Sequence, residues 1–281
     1  ELRYDTVRGY LKDDPAWSDK LKTGEKRLSQ FGIADGIVHL ADVEGNYAAW
    51  CHSASGRLFL YDIANNWSEE LDAPDDLVHL CFNVAIENKM VYTTGHDYSD
   101  TIHDDIFEIN IEKKIYRSLR PITGEAITMK QIQGEGDNVA WEQDGEIALL
   151  NLDTMQFSII TGDNMGQYHW NPYVTDRYVI WSNADSNSQN RAIRLFDIST
   201  GVHSILAPES QEYEINRTYP FVNDTYAAWG NTINWAPEEV VPNELILYTL
   251  SNGQEEKIDT GEKVISRPFI DGQRLFWDVN G

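Results

Sequence analysis

The stretch "DRYVIWSNADSNSQNRAIRLFDISTG", residues 176–201, decides the fold. One apolar run closes on Trp181, a polar stretch follows, a second apolar run closes on Asp197, and a Thr-Gly pair ends the unit. Versions of it return along the chain: "NYAAW" to Trp50, "KMVY" to Tyr92, "NVAW" to Trp141, "TYAAW" to Trp229 and "RLFW" to Trp277. With Trp181 included, successive aromatics are 42, 49, 40, 48 and 48 residues apart. A period near 45 residues suits either a four-stranded sheet or a helical pair, and residue type separates the two.

Each aromatic-ended run is short and rich in Val, Ile and aromatics, and a second such run follows it: "RLFLYDI" at 57–63, "DIFEINI" at 105–111, "EIALLNL" at 146–152, "IRLFDI" at 193–198, "LILYTL" at 245–250. These are strand lengths and strand residues. A polar turn and a third run such as "VHSILA" (202–207) come next, and before each of the last three aromatic runs stands "NPYVTD" (171–176), "YPFVND" (219–224) or "RPFIDG" (267–272). No window of twelve residues keeps a 3.6-residue stripe free of Gly, Pro or turn clusters, so helix is disfavoured.

A four-stranded unit that is apolar on both faces must stack against others of its kind. Radial stacking gives an all-β, six-bladed β-propeller with four-stranded antiparallel blades. The expected blades are 36–76, 77–122, 123–163, 164–210, 211–261, and 262–281 joined by 1–35, within one domain. The last blade has two strands of its own, so N-terminal strands are expected to close it; "WSDKLKTGEKRLSQ" (17–30) and "LRYDTVRG" (2–9) compete for that place.

The "P-[YF]-[VI]-x-[DN]…W…(I/L)xxxD(I/L)xTG" unit resembles the repeats of TolB-type propellers and of bacterial and archaeal surface-protein propellers, over nearly the whole chain. The resemblance implies the fold and is nearly silent on function, because such propellers include enzymes, adaptors and scaffolds. The Ser-Pro-Asp-Gly turn of TolB is absent, and six blades leave no room for TolB's separate N-terminal domain, so TolB's partner is not carried over.

The balance of 22 basic against 46 acidic residues, a net charge of -24, repels phosphate backbones and anionic lipid, which argues against nucleic acid as a partner. No run of 18 apolar residues is present, so membrane insertion is not expected. Cys51 and Cys81 sit in apolar, strand-like stretches and are expected as buried free thiols, with one disulfide as the alternative.

The repeated Trp residues are expected to wedge neighbouring blades, and Asp62, Asn110, Asn151 and Asp197 to accept turn hydrogen bonds. Site candidates come from the long connections at 93–104, 182–192 and 230–244, which would rim a recess beside the short ones. Asp97, Asp100, Asp104, Asp185 and Asn187 are hard oxygen ligands suited to calcium or another divalent ion, although no cofactor is demanded. Trp235, Trp170 and Tyr98, with Asn190, are candidates for an aromatic and polar sugar platform. His39 and His79, in "GIVHLA" and "DLVHLC", are expected at equivalent inner-strand positions and could ligate a transition metal, with His169 one residue out of that register.

The expected protein is a secreted, periplasmic or cell-surface binding module or scaffold, monomeric and non-enzymatic, with a glycan or protein ligand on the long-loop face. The alternative is a carbohydrate-active enzyme, a metal-assisted lyase or glycosidase, using His39 and His79, expected to face the propeller's central channel, and the loop acids. A structural spacer is the third reading.

Overall fold

The computed structural model describes residues 38–52, 57–65, 67–71, 84–97, 103–124, 128–161, 167–185, 191–210, 215–233, 244–259, 264–271 and 274–280. The chain divides into two compact units, residues 1–132 and 133–281.

The first unit holds two antiparallel sheets, each in sequential order. One is β1 (Val38–Glu44), β2 (Tyr47–His52), β3 (Arg57–Asp62) and β4 (Trp67–Leu71); the other is β5 (Val84–Glu87), β6 (Met90–Asp97), β7 (His103–Asn110) and β8 (Ile115–Ser118). A single helical turn, α1 (Arg120–Thr123), opens on Pro121, whose fixed φ suits a first turn. The third sheet starts where the first unit ends: β9 (Met129–Glu135), β10 (Asn138–Gln143), β11 (Glu146–Asn151) and β12 (Gln156–Ile159).

The second unit continues with a fourth sheet of β13 (Gln167–Val174), β14 (Tyr178–Asp185), β15 (Ala192–Asp197) and β16 (Val202–Ala207). The fifth is β17 (Ile215–Val222), β18 (Tyr226–Ile233), β19 (Glu244–Thr249) and β20 (Gln254–Asp259), and the sixth, among the described residues, is the pair β21 (Val264–Asp271) and β22 (Arg274–Asn280).

The period-two pattern of the middle strands assigns each face to a different neighbour. On β14, Val179 and Trp181 pack with Ala140, Ile147 and Leu149 of the third sheet, whereas Tyr178 and Ile180 pack with Ala227, Trp229 and Ile246 of the fifth. On β18, Ala228 and Tyr226 face Ile270 and Leu275 of the sixth. In the first unit, Ala49, Cys51 and Leu60 meet Val84, Val91 and Ile109 in the same way. Trp181 and Trp229 thus fill the sheet-to-sheet gaps as the repeat predicts.

Third strands end on the expected side-chain turns. Asp62 Oδ1 accepts the Asn65 N–H at 2.8 Å, Asn110 Oδ1 that of Lys113 at 2.8 Å, Asn151 Oδ1 that of Thr154 at 2.9 Å and Asp197 Oδ1 that of Ser199 at 3.0 Å. Inner strands are bulged at the residue before proline: the pairing of β13 slips between Trp170 and Tyr173, and that of β17 between Thr218 and Phe221. Asn171 and Tyr219 there take φ of 53° and 49°, a left-handed conformation that a bulge can hold and a regular strand cannot. A proline has no N–H for the ladder, so the bulge is where an inner strand tolerates it.

Two expectations change. Cys51 is disulfide-bonded rather than a free thiol, and the chain's other cysteine is Cys81. The long connections at 93–104, 182–192 and 230–244 are shorter than expected, because polar residues continue the hairpins: His96 pairs Asp104, Asp97 pairs His103, Asn183 pairs Ala192 and Asn231 pairs Glu244.

Candidate functional site

Of the residues singled out in the sequence, Tyr98, Asp100, His79, Asn187, Asn190 and Trp235 lie outside the described residues, and only backbone positions are described for His39, Asp97 and Asp185. The strand register bears on the histidines. His39 pairs Cys51, one residue past Trp50, and the residue pairing Thr93, one past Tyr92, is Val84 rather than His79. Asp104 is buried and its Oδ2 accepts the Met129 N–H at 2.7 Å, a tie between β7 and the start of β9. Among the described residues, no group of three or more His, Cys, Asp or Glu is placed to hold one ion.

Trp170 lies mid-strand in β13, where it pairs Ser182. Its ring stacks on Tyr168 at 5.9 Å, and the Arg191 guanidinium lies 4.6 Å from the ring centroid. The Arg191 carbonyl accepts from Arg217 Nη1, and its N–H donates to Ile215 O at 2.9 Å, joining the fourth sheet to β17.

Beside this stack the fourth sheet carries a polar network on the face toward the third, in which the Trp181 indole and the Asn183 amide are paired while His169 Nε2 has no hydrogen bond among the described residues. Trp181 Nε1 donates to His169 Nδ1 at 2.9 Å, so that imidazole nitrogen is unprotonated. Asn183 donates to Gln167 Oε1 at 2.9 Å and accepts from Arg194 Nε at 2.7 Å. His169 has no exposed side-chain surface, and its burial, with the Arg194 charge nearby, pushes the imidazole down to about 4.

The fifth sheet repeats the geometry with different chemistry. His169 pairs Asn183 on the fourth sheet, and Arg217 pairs Asn231 at the same place on the fifth. Trp181 pairs Arg194, and Trp229 pairs Ile246. The indole therefore loses its acceptor, because arginine only donates, and the asparagine loses its donor, because isoleucine has none. Trp229 Nε1 and Asn231 Oδ1 have no hydrogen-bond partner among the described residues, although their residues are 1% and 7% exposed.

Both side chains line a cavity of about 310 Å³ between the fourth and fifth sheets, a volume at the lower end of small-molecule sites. Pro208 and Ser210 past the end of β16 form one wall, and Arg217, Glu244 and Lys257 belong to the other. Lys257 Nζ lies 3.3 Å from Glu244 Oε2. Sequence reasoning passed over this site because it aligned the repeats on Trp and Asp. The signal was available at the residue two past each Trp and at its inner-strand partner.

No protein-family model matches the chain, and no curated protein matches it in sequence. Solved structures do match in three dimensions. TolB from Acinetobacter baumannii is 13% identical with a TM-score of 0.50, over 81% of this chain and 56% of that one. An oligogalacturonate lyase in complex with manganese is 11% identical with a TM-score of 0.55, over 76% and 62%. The propeller domain of the Trilobed protease from Pyrococcus furiosus, which has an open velcro topology, is 8% identical with a TM-score of 0.59, over 87% and 77%. The chain thus spans little more than half of TolB and under two thirds of the lyase. At these identities the likeness is one of fold, and the fold of this chain is a β-propeller of the TolB-like kind.

Proposed function

We propose that the chain is a non-enzymatic binding propeller of a secreted, periplasmic or cell-surface protein, monomeric and six-bladed, whose ligand is a glycan or a protein. The observation that carries the binding reading is the cavity between the fourth and fifth sheets, where a donor and an acceptor are buried without hydrogen-bond partners among the described residues. An unmet buried polar group costs about 1–3 kcal/mol, so two in one cavity are a standing cost that a ligand would offset. The Cys51 disulfide supports an oxidising compartment, since cytosolic thiols are kept reduced. The net charge of -24 favours neutral or basic partners and disfavours nucleic acid.

The test is retention of partners by the immobilised full chain on glycan and protein arrays, run with EDTA and again with calcium or manganese, beside an assay for polysaccharide cleavage. Saturable retention without turnover supports the reading. Turnover of a polysaccharide overturns its non-enzymatic part, and retention only with a restored ion would support a ligand role for Asp97, Asp100, Asp104, Asp185 and Asn187.

A further inference from the structure

Building on the binding reading, we propose that the cavity lined by Arg217, Trp229 and Asn231 takes a compact, neutral, polyhydroxylated group, the ring of a saccharide. The argument rests on the two orphaned atoms. Trp229 Nε1 can only donate and requires an acceptor, and Asn231 Oδ1 can only accept and requires a donor. A metal ion or an ammonium group fails at the indole, where it meets N–H. A carboxylate fails at Asn231 and meets the three lining carboxylates, Glu209, Glu244 and Glu255, against only Arg217 and Lys257. A hydroxyl both donates and accepts, and neighbouring hydroxyls on one ring can serve both atoms together.

Register sets the spacing. Trp229 and Asn231 are two residues apart on β18 and so on one face, about 6.6 Å apart along the strand. A ligand that serves both must reach two side chains whose backbones are that far apart, which suits a ring with several hydroxyls better than a single small alcohol. Both residues are nearly fully buried, so the bound group must reach in end-on. That geometry favours a terminal ring over the side of a passing peptide. The fourth sheet supplies the internal control: with His169 and Arg194 in the equivalent places, the same Trp and Asn satisfy each other's surroundings without a ligand.

The experiment follows the Trp229 indole N–H resonance of the ¹⁵N-labelled full chain, identified by its loss in Trp229→Phe. The probes are glucose, galactose, mannose, N-acetylglucosamine, glucuronate and N-methylacetamide. The expected result is a saturable shift with at least one neutral sugar, weakened about three- to tenfold in Asn231→Ala, and no saturable shift with glucuronate. A second variant, Arg217→His with Ile246→Arg, transplants the fourth sheet's pattern and should abolish the response while leaving the melting temperature equal or higher.

A shift with N-methylacetamide or glucuronate and none with a neutral sugar overturns the saccharide assignment and leaves the binding reading standing. Silence with every probe also overturns it, and array retention then decides the binding reading separately. A sugar response that survives in the transplanted variant places the site elsewhere and overturns the proposal.

Discussion

The rings of Tyr173 and Phe221, 48 residues apart, lie with centroids 4.4 Å apart and tilted by 43°. Phe221 in turn meets Phe269 edge-on at 5.0 Å. All three follow the proline of "NPYV", "YPFV" and "RPFI", so the repeated Pro-aromatic step makes each inner strand touch the next one. The bulge before each aromatic is what aims it there, and the stack helps to offset the left-handed strain at Asn171 and Tyr219. Phe221→Ala should cost about 3–5 kcal/mol in urea unfolding, and Phe221→Leu markedly less. A loss under about 1 kcal/mol for the alanine would show that the stack does not hold these sheets together.

Gly136 and Gly201 both have positive φ, 63° and 69°, but only the first is crowded. A Cβ at Gly136 would fall 1.6 Å from Asp176 Oδ1, the acceptor of the Asp137 N–H between the third and fourth sheets. Gly201→Ala should cost about 1–2 kcal/mol, the conformational term alone. Gly136→Ala should cost about 1 kcal/mol more, because Asp176 must swing away and the bond is lost. In a double-mutant cycle Asp176→Ala should add little once Gly136→Ala is present; full additivity would separate the two positions energetically.

The fold was legible because the features that set it are local. Alternation of apolar residues along "RYVIW", Asp197 and its equivalents at the turns, and the proline before Tyr173 each act within a few residues. The hairpin ends were misjudged for a related reason: His96, Asp97, His103 and Asp104 read as loop by polarity, while backbone pairing across the hairpin carries the strands through them. The cavity was hidden more deeply. It depends on which side chains stand opposite Trp229 and Asn231 across two neighbouring strands: Arg217 follows His169 at the same 48-residue step as the tryptophans, but Ile246 follows Arg194 at 52 because the hairpin connection is longer, so the pairing has to be known before the two sheets can be compared.

His169 gives the fourth sheet a pH dependence. Burial, aided by Arg194, lowers the folded imidazole to about 4 from the ordinary 6.5, outweighing the attraction of Glu146 Oε2 at 3.7 Å from Nε2. Between these values the unfolded chain binds more protons than the folded one, so stability rises with pH across that window and is lost as pH falls through it. The full swing is about 3 kcal/mol at 1.36 kcal/mol per unit. Comparing urea midpoints at pH 7 and pH 4.5 in wild type and His169→Gln should show the acid loss reduced in the variant. An unchanged acid loss would assign it to other groups.

The Cys51 disulfide should stabilise chiefly by restricting the unfolded chain. Closing the segment from 51 to 81, the only other cysteine, is worth about 3–4 kcal/mol in the chain-entropy treatment. The denatured, unreduced protein should show no free thiol and the reduced protein two, with a matching fall in urea midpoint. Free thiols without reductant would refute the bond and remove the support it lends to an oxidising compartment.

The sixth sheet tests ring closure. Its two described strands, β21 and β22, leave β22 without a further partner among the described residues, while each other sheet has four strands. An unpaired edge of this kind invites association with other chains. If residues 17–30 complete the sheet, as their Thr-Gly turn between strand-like runs suggests, deleting residues 1–35 removes both missing strands at once. The truncated chain should melt roughly 5–10 °C lower, equivalent to about 2–3 kcal/mol, and should aggregate at concentrations where the full chain stays monomeric in light scattering. An unchanged melting temperature and a monomeric truncation would instead indicate a ring left open, as in the velcro-open propeller of the Trilobed protease.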